Sequence, residues 1–214
     1  MTPRFYFYLL LLLTISLIGI VRFKKLTIPF KLITILIIYT FASEIISRIF
    51  SYKFRNSSPV YHLYIPIQFA LLLLVYFFLF QWKNWRYTGL ILFIFLVLCF
   101  TNTIFLQSFF RFPSNIILIS SCFFIGASLS FFKRMLNSVG DENLFKQSVF
   151  WFNTGILIFF TCTFLFWGIY NYLLKDHIST KPISTIVYFI NILFYAMVGT
   201  ALILDNNKKN KLNE

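Results

Sequence analysis

The sequence predicts an all-α integral membrane protein, a bundle of seven transmembrane helices with the N-terminus outside and the C-terminus in the cytoplasm. Of the 214 residues, 59% are hydrophobic and only 12% are charged, whereas an average soluble domain carries about 25% charged residues. The apolar surface, which includes 31 Phe residues, exceeds what one soluble core of this length can bury. The basic residues lie between long apolar runs, so lipid surrounds most of the chain.

The apolar runs divide the chain into seven spans, since a helix of about 20 apolar residues crosses the hydrocarbon core. The predicted spans are 5–21, 28–50, 61–80, 88–106, 115–132, 148–173 and 183–204. The first is followed by Arg22, Lys24 and Lys25 with no small-residue cleavage site, which favours a retained helix over a secretory signal. We therefore expect one seven-helix domain at 1–204 and a short polar cytoplasmic tail at 205–214.

The basic residues also indicate the orientation, because Lys and Arg are in excess in the short loops on the cytoplasmic side. The connections after the first, third and fifth spans, together with the tail, hold more Lys and Arg than the connections on the other side. This places the N-terminus outside. The net charge of +13 is explained by orientation and does not indicate nucleic acid as a partner. Abundant Ile, Phe, Tyr, Asn and Lys, encoded by AT-rich codons, point to a bacterial cytoplasmic (inner) membrane.

Two ionisable residues, Glu44 and Arg48, fall inside a predicted span without an explanation from orientation. A charge inside a membrane costs about 2.5 to 3.5 kcal/mol on insertion scales and is a functional pointer by default. Their spacing of four residues places them on one face of the second helix. Glu44 lies about 9 Å below the outer end of that helix, at 1.5 Å per residue.

Polar and aromatic residues of other spans occur at a similar depth. We predict an outward-facing pocket for a small or lipid-like ligand, in which Glu44 and Arg48 are the charged anchor. Residues of three further helices complete the predicted pocket. Those predicted to hydrogen-bond the ligand are Gln68, Asn171, Tyr188 and Asn191, and those predicted to form its aromatic walls are Tyr64 and Trp167. The competing interpretation is that such groups simply hold membrane helices together.

Most enzyme chemistry is disfavoured by the residue inventory. Two histidines and one intramembrane acid do not supply a three-ligand metal site with a base, so no catalytic residue, metal or cofactor is predicted. The run FIGASLS at 124–130 lacks the second glycine of an intramembrane serine protease, and no histidine is placed to activate Ser128. No phosphate-binding glycine motif is present. An intramembrane lipid enzyme, with Glu44 as acid or base and Arg48 on a phosphate, stays the third alternative.

In architecture the chain resembles the seven-helix sensory modules that precede bacterial histidine kinases, and also uncharacterised seven-helix membrane proteins of bacteria. The most distinctive stretch runs from Glu44 through Arg48 to Tyr61, His62, Leu63 and Tyr64. No kinase follows the last span, so the resemblance implies that a signal passes to a separate protein. The SWEET sugar transporters are similar in size and helix count, which makes transport of a small solute the main rival, although their Pro-Gln motif is absent.

The function predicted from the sequence is therefore sensing or signal coupling across a membrane. The expected partners are membrane lipid and a separate signalling protein. The oligomeric state is left open.

Overall fold

The structure, a computed structural model, describes residues 3–138, 143–175 and 181–206, apart from the side chains of residues 138, 170–175 and 181–184. Seven helices in this part of the chain are long and apolar enough to cross a membrane. This confirms the predicted count of seven spans. They are α1 (Pro3–Arg22), α2 (Ile28–Phe54), α3 (Ser58–Leu79), α4 (Trp85–Thr101), α5 (Ser114–Ser138), α6 (Ser148–Lys175) and α7 (Lys181–Leu204).

The helix ends follow local backbone chemistry more closely than hydropathy. The third helix begins at Ser58, three residues before the predicted start, because Pro59 suits the first turn of a helix and the Asn56 side chain accepts a hydrogen bond from the Ser58 amide. The second helix continues to Phe54, four residues past the predicted end, so Glu44 lies about 15 Å from the end of the helix and not about 9 Å. It stops at Arg55, which adopts a left-handed conformation with φ of 53°. The hydropathy of the sequence alone does not predict where these polar turns begin and end.

The fourth helix passes into one π-helical turn, Asn102–Leu106. In this turn the Gln107 amide donates to the Asn102 carbonyl at 2.7 Å, one residue further back than in an α-helix. The predicted span 88–106 therefore covers two kinds of helix.

The chain divides into two compact units, Met1–Ile116 and Ile117–Glu214, with the boundary near the start of α5. In the first unit α1 packs on α2, α2 on α3, and α3 on α4. In the second unit the main contact is between α6 and α7. Apolar side chains cover the outside, as the lipid environment requires; on α4, Phe93 and Phe100 are both more than 60% exposed.

Close packing in the first unit depends on a glycine of α1. A Cβ atom added at Gly19 would lie 2.6 Å from the Thr34 Cγ2 atom of α2, so a larger residue fits only if the Thr34 side chain or the helices shift. The core beside it contains Leu12 and Ile33, each almost completely buried. Between α3 and α4, the rings of Phe69 and Phe95 stack with centroids 3.6 Å apart.

The second unit is packed mainly by aromatic rings. Phe160 of α6 packs against Phe124 of α5 with ring centroids 4.9 Å apart, and Phe159 packs against Phe194 of α7 at 4.6 Å. Gly155 lets α6 approach α7, since a Cβ there would lie 3.3 Å from Met197 Cβ. Aromatic contact and small residues replace the hydrophobic effect, which does not drive helices together in lipid.

Candidate functional site

Glu44 lies half-buried on the side of α2 that faces α1. The Tyr8 hydroxyl of α1 donates a hydrogen bond to Glu44 Oε1 at a long distance of 3.4 Å. The Tyr61 hydroxyl of α3 is close enough to interact electrostatically with the carboxylate and hydrogen-bonds Ser47. Three helices therefore surround the only acidic residue of the seven helices that the structure describes.

Arg48 takes a different partner. Its side chain is exposed, and its guanidinium carbon lies 5.1 Å from the centroid of the Phe5 ring of α1, a cation–π contact. Within the described part of the chain, Arg48 forms no ion pair with Glu44, although the two share a helical face. The reason is visible in α1, because Phe5 and Tyr8 lie one turn apart there and each attracts one of the two charged side chains.

Hydroxyl groups line the contact between α2 and α3 near this pair. Thr40 Oγ1 lies 2.9 Å from the Tyr64 hydroxyl, and the Thr40 and Ser47 side chains are buried. The Tyr39 ring stacks on the Tyr64 ring with centroids 5.5 Å apart. Tyr64, predicted as an aromatic wall of the pocket, thus also forms part of the helix contact.

Pro66 lies inside α3. Proline lacks an amide hydrogen and disturbs the carbonyls of the preceding turn. The carbonyl left without its helical donor is that of His62, and the Tyr39 hydroxyl donates to the next carbonyl, that of Leu63, at 3.4 Å. Gln68, one turn after Tyr64, is half-buried and has no hydrogen-bond partner among the described residues.

The other four predicted ligand residues belong to the second unit, on α6 and α7. Trp167 and Tyr188 are half-buried, and the amide nitrogen of Asn191 donates to the Val187 carbonyl of its own helix at 2.8 Å. Asn171 lies on α6, but its side chain is outside the described residues. That these four line one pocket with Glu44 stays a prediction.

His62 is fully engaged with the connection between α4 and α5. Its Nε2 atom lies 2.9 Å from the Arg111 carbonyl and its Nδ1 atom 3.1 Å from Thr103 Oγ1. Close by, Asn102 donates to Gln107, and Asn115 donates to Asn102. The sequence pattern does not predict these two groups of hydrogen bonds, whose members are spread over 54 residues of sequence from His62 to Asn115.

Sequence reasoning also overlooked the residues of α1 that contact the charged pair. Phe5 and Tyr8 are aromatic residues in a run of Phe, Tyr and Leu, so nothing in the local pattern separates them from lipid-facing neighbours. Their spacing of three residues, matched to the four-residue spacing of Glu44 and Arg48 on an antiparallel helix, is the signal that would have found them.

The comparisons with known proteins give no relative: no family model, no curated protein and no solved structure matches the chain. The resemblance to sensory modules therefore extends to the seven apolar helices alone. Any function has to be argued from the residues.

Glu44 and Arg48, together with Tyr8, Tyr61 and Phe5, are called the first-unit site below. It offers one carboxylate, one guanidinium and two phenol hydroxyls on the faces of three helices. In the described part of the chain, no group of three His, Cys, Asp or Glu side chains is placed to hold a metal ion.

Proposed function

We propose that the protein is a membrane sensor or signal-coupling protein whose first-unit site binds a small or lipid-like ligand. The observation that carries this proposal is that Glu44 and Arg48 do not form an ion pair with each other. A pair that served only to pack helices would satisfy its own charges, because an unpaired charge in a membrane is costly. Here both charges keep capacity for a further partner.

The direction of signalling follows from the predicted orientation. With the N-terminus outside, the first-unit site lies in the outer half of a bacterial cytoplasmic membrane. The ligand then enters from the outer side or from the outer leaflet, and the response passes to a separate protein on the inner side. Tyr64 and Gln68 extend the site along α3, with the unpartnered amide of Gln68 supplying hydrogen bonds.

Transport of a small solute is the second candidate, and the division of the chain into two compact units favours it. Transporters commonly move one helical bundle against another around a binding site near the middle of the membrane. The two proposals differ in the fate of the ligand, since a sensor releases it unchanged on the same side.

The experiment uses purified full-length protein and fractions of a bacterial lipid and metabolite extract. We expect at least one fraction to raise the melting temperature of the wild type but not of Glu44→Gln or Arg48→Met. Arg86→Gln, which changes an exposed charge in the first turn of α4, is the matched control and should respond as the wild type does.

The active fraction is then tested with the protein in sealed liposomes. A sensor leaves the ligand chemically unchanged and does not accumulate it. Accumulation inside the liposomes would replace this proposal by transport, and conversion of the ligand would replace it by lipid enzymology. If the active fraction stabilises both variants as well as the wild type, the charged pair has no part in binding and the proposal is wrong.

A further inference from the structure

The contacts of Glu44 and Arg48 also indicate the kind of ligand. A Glu four residues before an Arg on one helix is the favourable arrangement for an ion pair, yet the two side chains reach separate partners on α1. We propose that this face of α2 binds a zwitterion of the phosphoethanolamine type, with its ammonium at Glu44 and its phosphate at Arg48. The inference rests on the proposed function and specifies its ligand.

A ligand with a single charge fits this face poorly. The Cβ atoms of residues four apart on a helix are about 5 to 6 Å apart, so a ligand that meets both side chains has to present a positive group to Glu44 and a negative group to Arg48. Phosphoethanolamine carries its two charges at either end of a two-carbon chain. It therefore meets both side chains with opposite charge at each end.

The present contact of Glu44 is weak enough to be exchanged for a ligand. The Tyr8 hydroxyl lies 3.4 Å from Oε1, longer than the usual 2.5 to 3.0 Å, roughly, for a hydroxyl donor. An ammonium donates to a carboxylate at about 2.7 to 2.9 Å and binds it about twice as strongly as a neutral donor does. Tyr8 and Tyr61 then remain as aromatic neighbours of the ammonium, which favours its binding further.

Arg48 likewise keeps its donors available. Its guanidinium carbon lies 5.1 Å from the centroid of the Phe5 ring, and none of its N–H groups has a hydrogen-bond partner among the described residues. A planar guanidinium with free N–H edges matches two oxygens of one phosphate. The side chain is exposed and lies six residues before the end of α2, about 9 Å along the helix axis, within reach of lipid head groups.

Two sources supply this chemistry: free phosphoethanolamine, and a phosphatidylethanolamine whose head group turns inward from its phosphate, because Glu44 lies one turn further from the end of α2 than Arg48 does. The first arm of the test measures binding of lipids to the delipidated full-length protein by native mass spectrometry. Phosphatidylethanolamine is compared with phosphatidylglycerol, which has the same phosphate but no ammonium. We expect the wild type to prefer phosphatidylethanolamine about tenfold, a difference of about 1.4 kcal/mol.

The variants separate the two contacts. Glu44→Gln should abolish the preference by weakening phosphatidylethanolamine binding alone, whereas Arg48→Gln should weaken the binding of both lipids. Arg86→Gln should keep the preference of the wild type. The melting temperature of each variant without lipid shows whether it is folded. Tyr8→Phe keeps the aromatic ring and leaves the Glu44 carboxylate in place. It should therefore keep the preference for phosphatidylethanolamine if Glu44 is the group that binds the ammonium.

The second arm measures the melting temperature with phosphoethanolamine and with glycerol phosphate. If only phosphoethanolamine stabilises the protein, and only with Glu44 present, the ligand is the free zwitterion and the proposal stands. Equal binding of both lipids together with equal effects of both phosphate esters would overturn it, as would a preference that survives Glu44→Gln. Should an extract fraction still bind in a Glu44-dependent way, the proposed function stands while this inference falls.

Discussion

The two units of the chain use their polar groups in opposite ways. In the second unit, Ser128 Oγ donates to the Asn153 carbonyl and Asn153 Nδ2 donates to the Ser128 carbonyl, both at 3.1 Å, and both residues are completely buried. In the first unit, Glu44 and Arg48 lie on one helical face without satisfying each other. The buried pair of Ser128 and Asn153 satisfies its own hydrogen bonds, as helix packing requires. Glu44 and Arg48 do not satisfy each other's charge, and packing alone does not explain that arrangement.

Burial separates the two cases physically. A buried polar group in lipid has to find its partner inside the protein, and Ser128 and Asn153 do so. Asp205 of the second unit, which is 2% exposed, similarly accepts a hydrogen bond from Ser148 at 3.4 Å. Glu44 is half-buried and Arg48 exposed, so neither side chain is enclosed by its present partner.

The largest effect is expected from Gly19→Ala in the first unit. The new Cβ would overlap Thr34 Cγ2, which lies 2.6 Å from its position, and overpacking of this kind costs about 1 to 3 kcal/mol. The measurement is the free energy of unfolding in a detergent titration. The matched control is Gly126→Ala on α5, where nothing lies within 4 Å of the new atom, so that stability should stay equal or rise by up to about 1 kcal/mol. Equal losses in both variants would show that the close approach of α1 and α2 is not decisive.

Asn153→Ala should have the next largest effect. It removes the bond from the Asn153 amide to the Ser128 carbonyl and leaves that carbonyl buried without this donor. Hydrogen bonds between membrane helices contribute about 0.6 kcal/mol on average and at most about 1.7 kcal/mol, so we expect a loss of about 1 kcal/mol in the same titration. Ser128→Ala should lose about half as much, because it leaves the amide bond intact. An unchanged stability in both variants would contradict a packing role for this pair.

Tyr64→Phe should cost less, about 0.6 kcal/mol, because it removes one hydroxyl contact with Thr40 and keeps the ring stacked on Tyr39. Tyr52→Phe is the control, since Tyr52 is 89% exposed and has no described hydrogen-bond partner. Its stability should not change. If Tyr64→Phe instead costs as much as Asn153→Ala, the α2–α3 contact depends on that hydroxyl as strongly as the second unit depends on its reciprocal pair.

Much of the fold could be predicted from the sequence, because crossing a membrane requires a long apolar helix and each of the seven leaves that mark. The sequence did not predict the helix ends at Ser58 and Phe54, because they depend on local capping. Nor did it predict the π-turn Asn102–Leu106, which depends on the hydrogen bond from the Gln107 amide to the Asn102 carbonyl. The four-residue spacing of the small residues Cys122, Gly126 and Ser130 predicts close packing against a neighbouring helix, but all three residues are exposed. The close approaches occur at Gly19 and Gly155 instead.

For the candidate site, the sequence identified Glu44 and Arg48 because ionisable residues are rare in membrane helices. It did not identify their partners Tyr8 and Phe5, since the contact between α1 and α2 depends on helix rotation, which composition does not encode. The expectation that the two charges face each other on one helix is reasonable locally. Contacts with Tyr8 and Phe5 of α1 instead give Glu44 and Arg48 separate partners.

The central claim is that Glu44 and Arg48 serve a ligand and do not hold each other in place. A double-mutant cycle of Glu44→Gln and Arg48→Gln on the free energy of unfolding, without ligand, tests it most directly. Because no ion pair joins the two side chains, we expect the two losses to add, with a coupling energy below about 0.5 kcal/mol. A coupling energy of about 1 kcal/mol or more would show that the two charges stabilise one another, and would contradict the account.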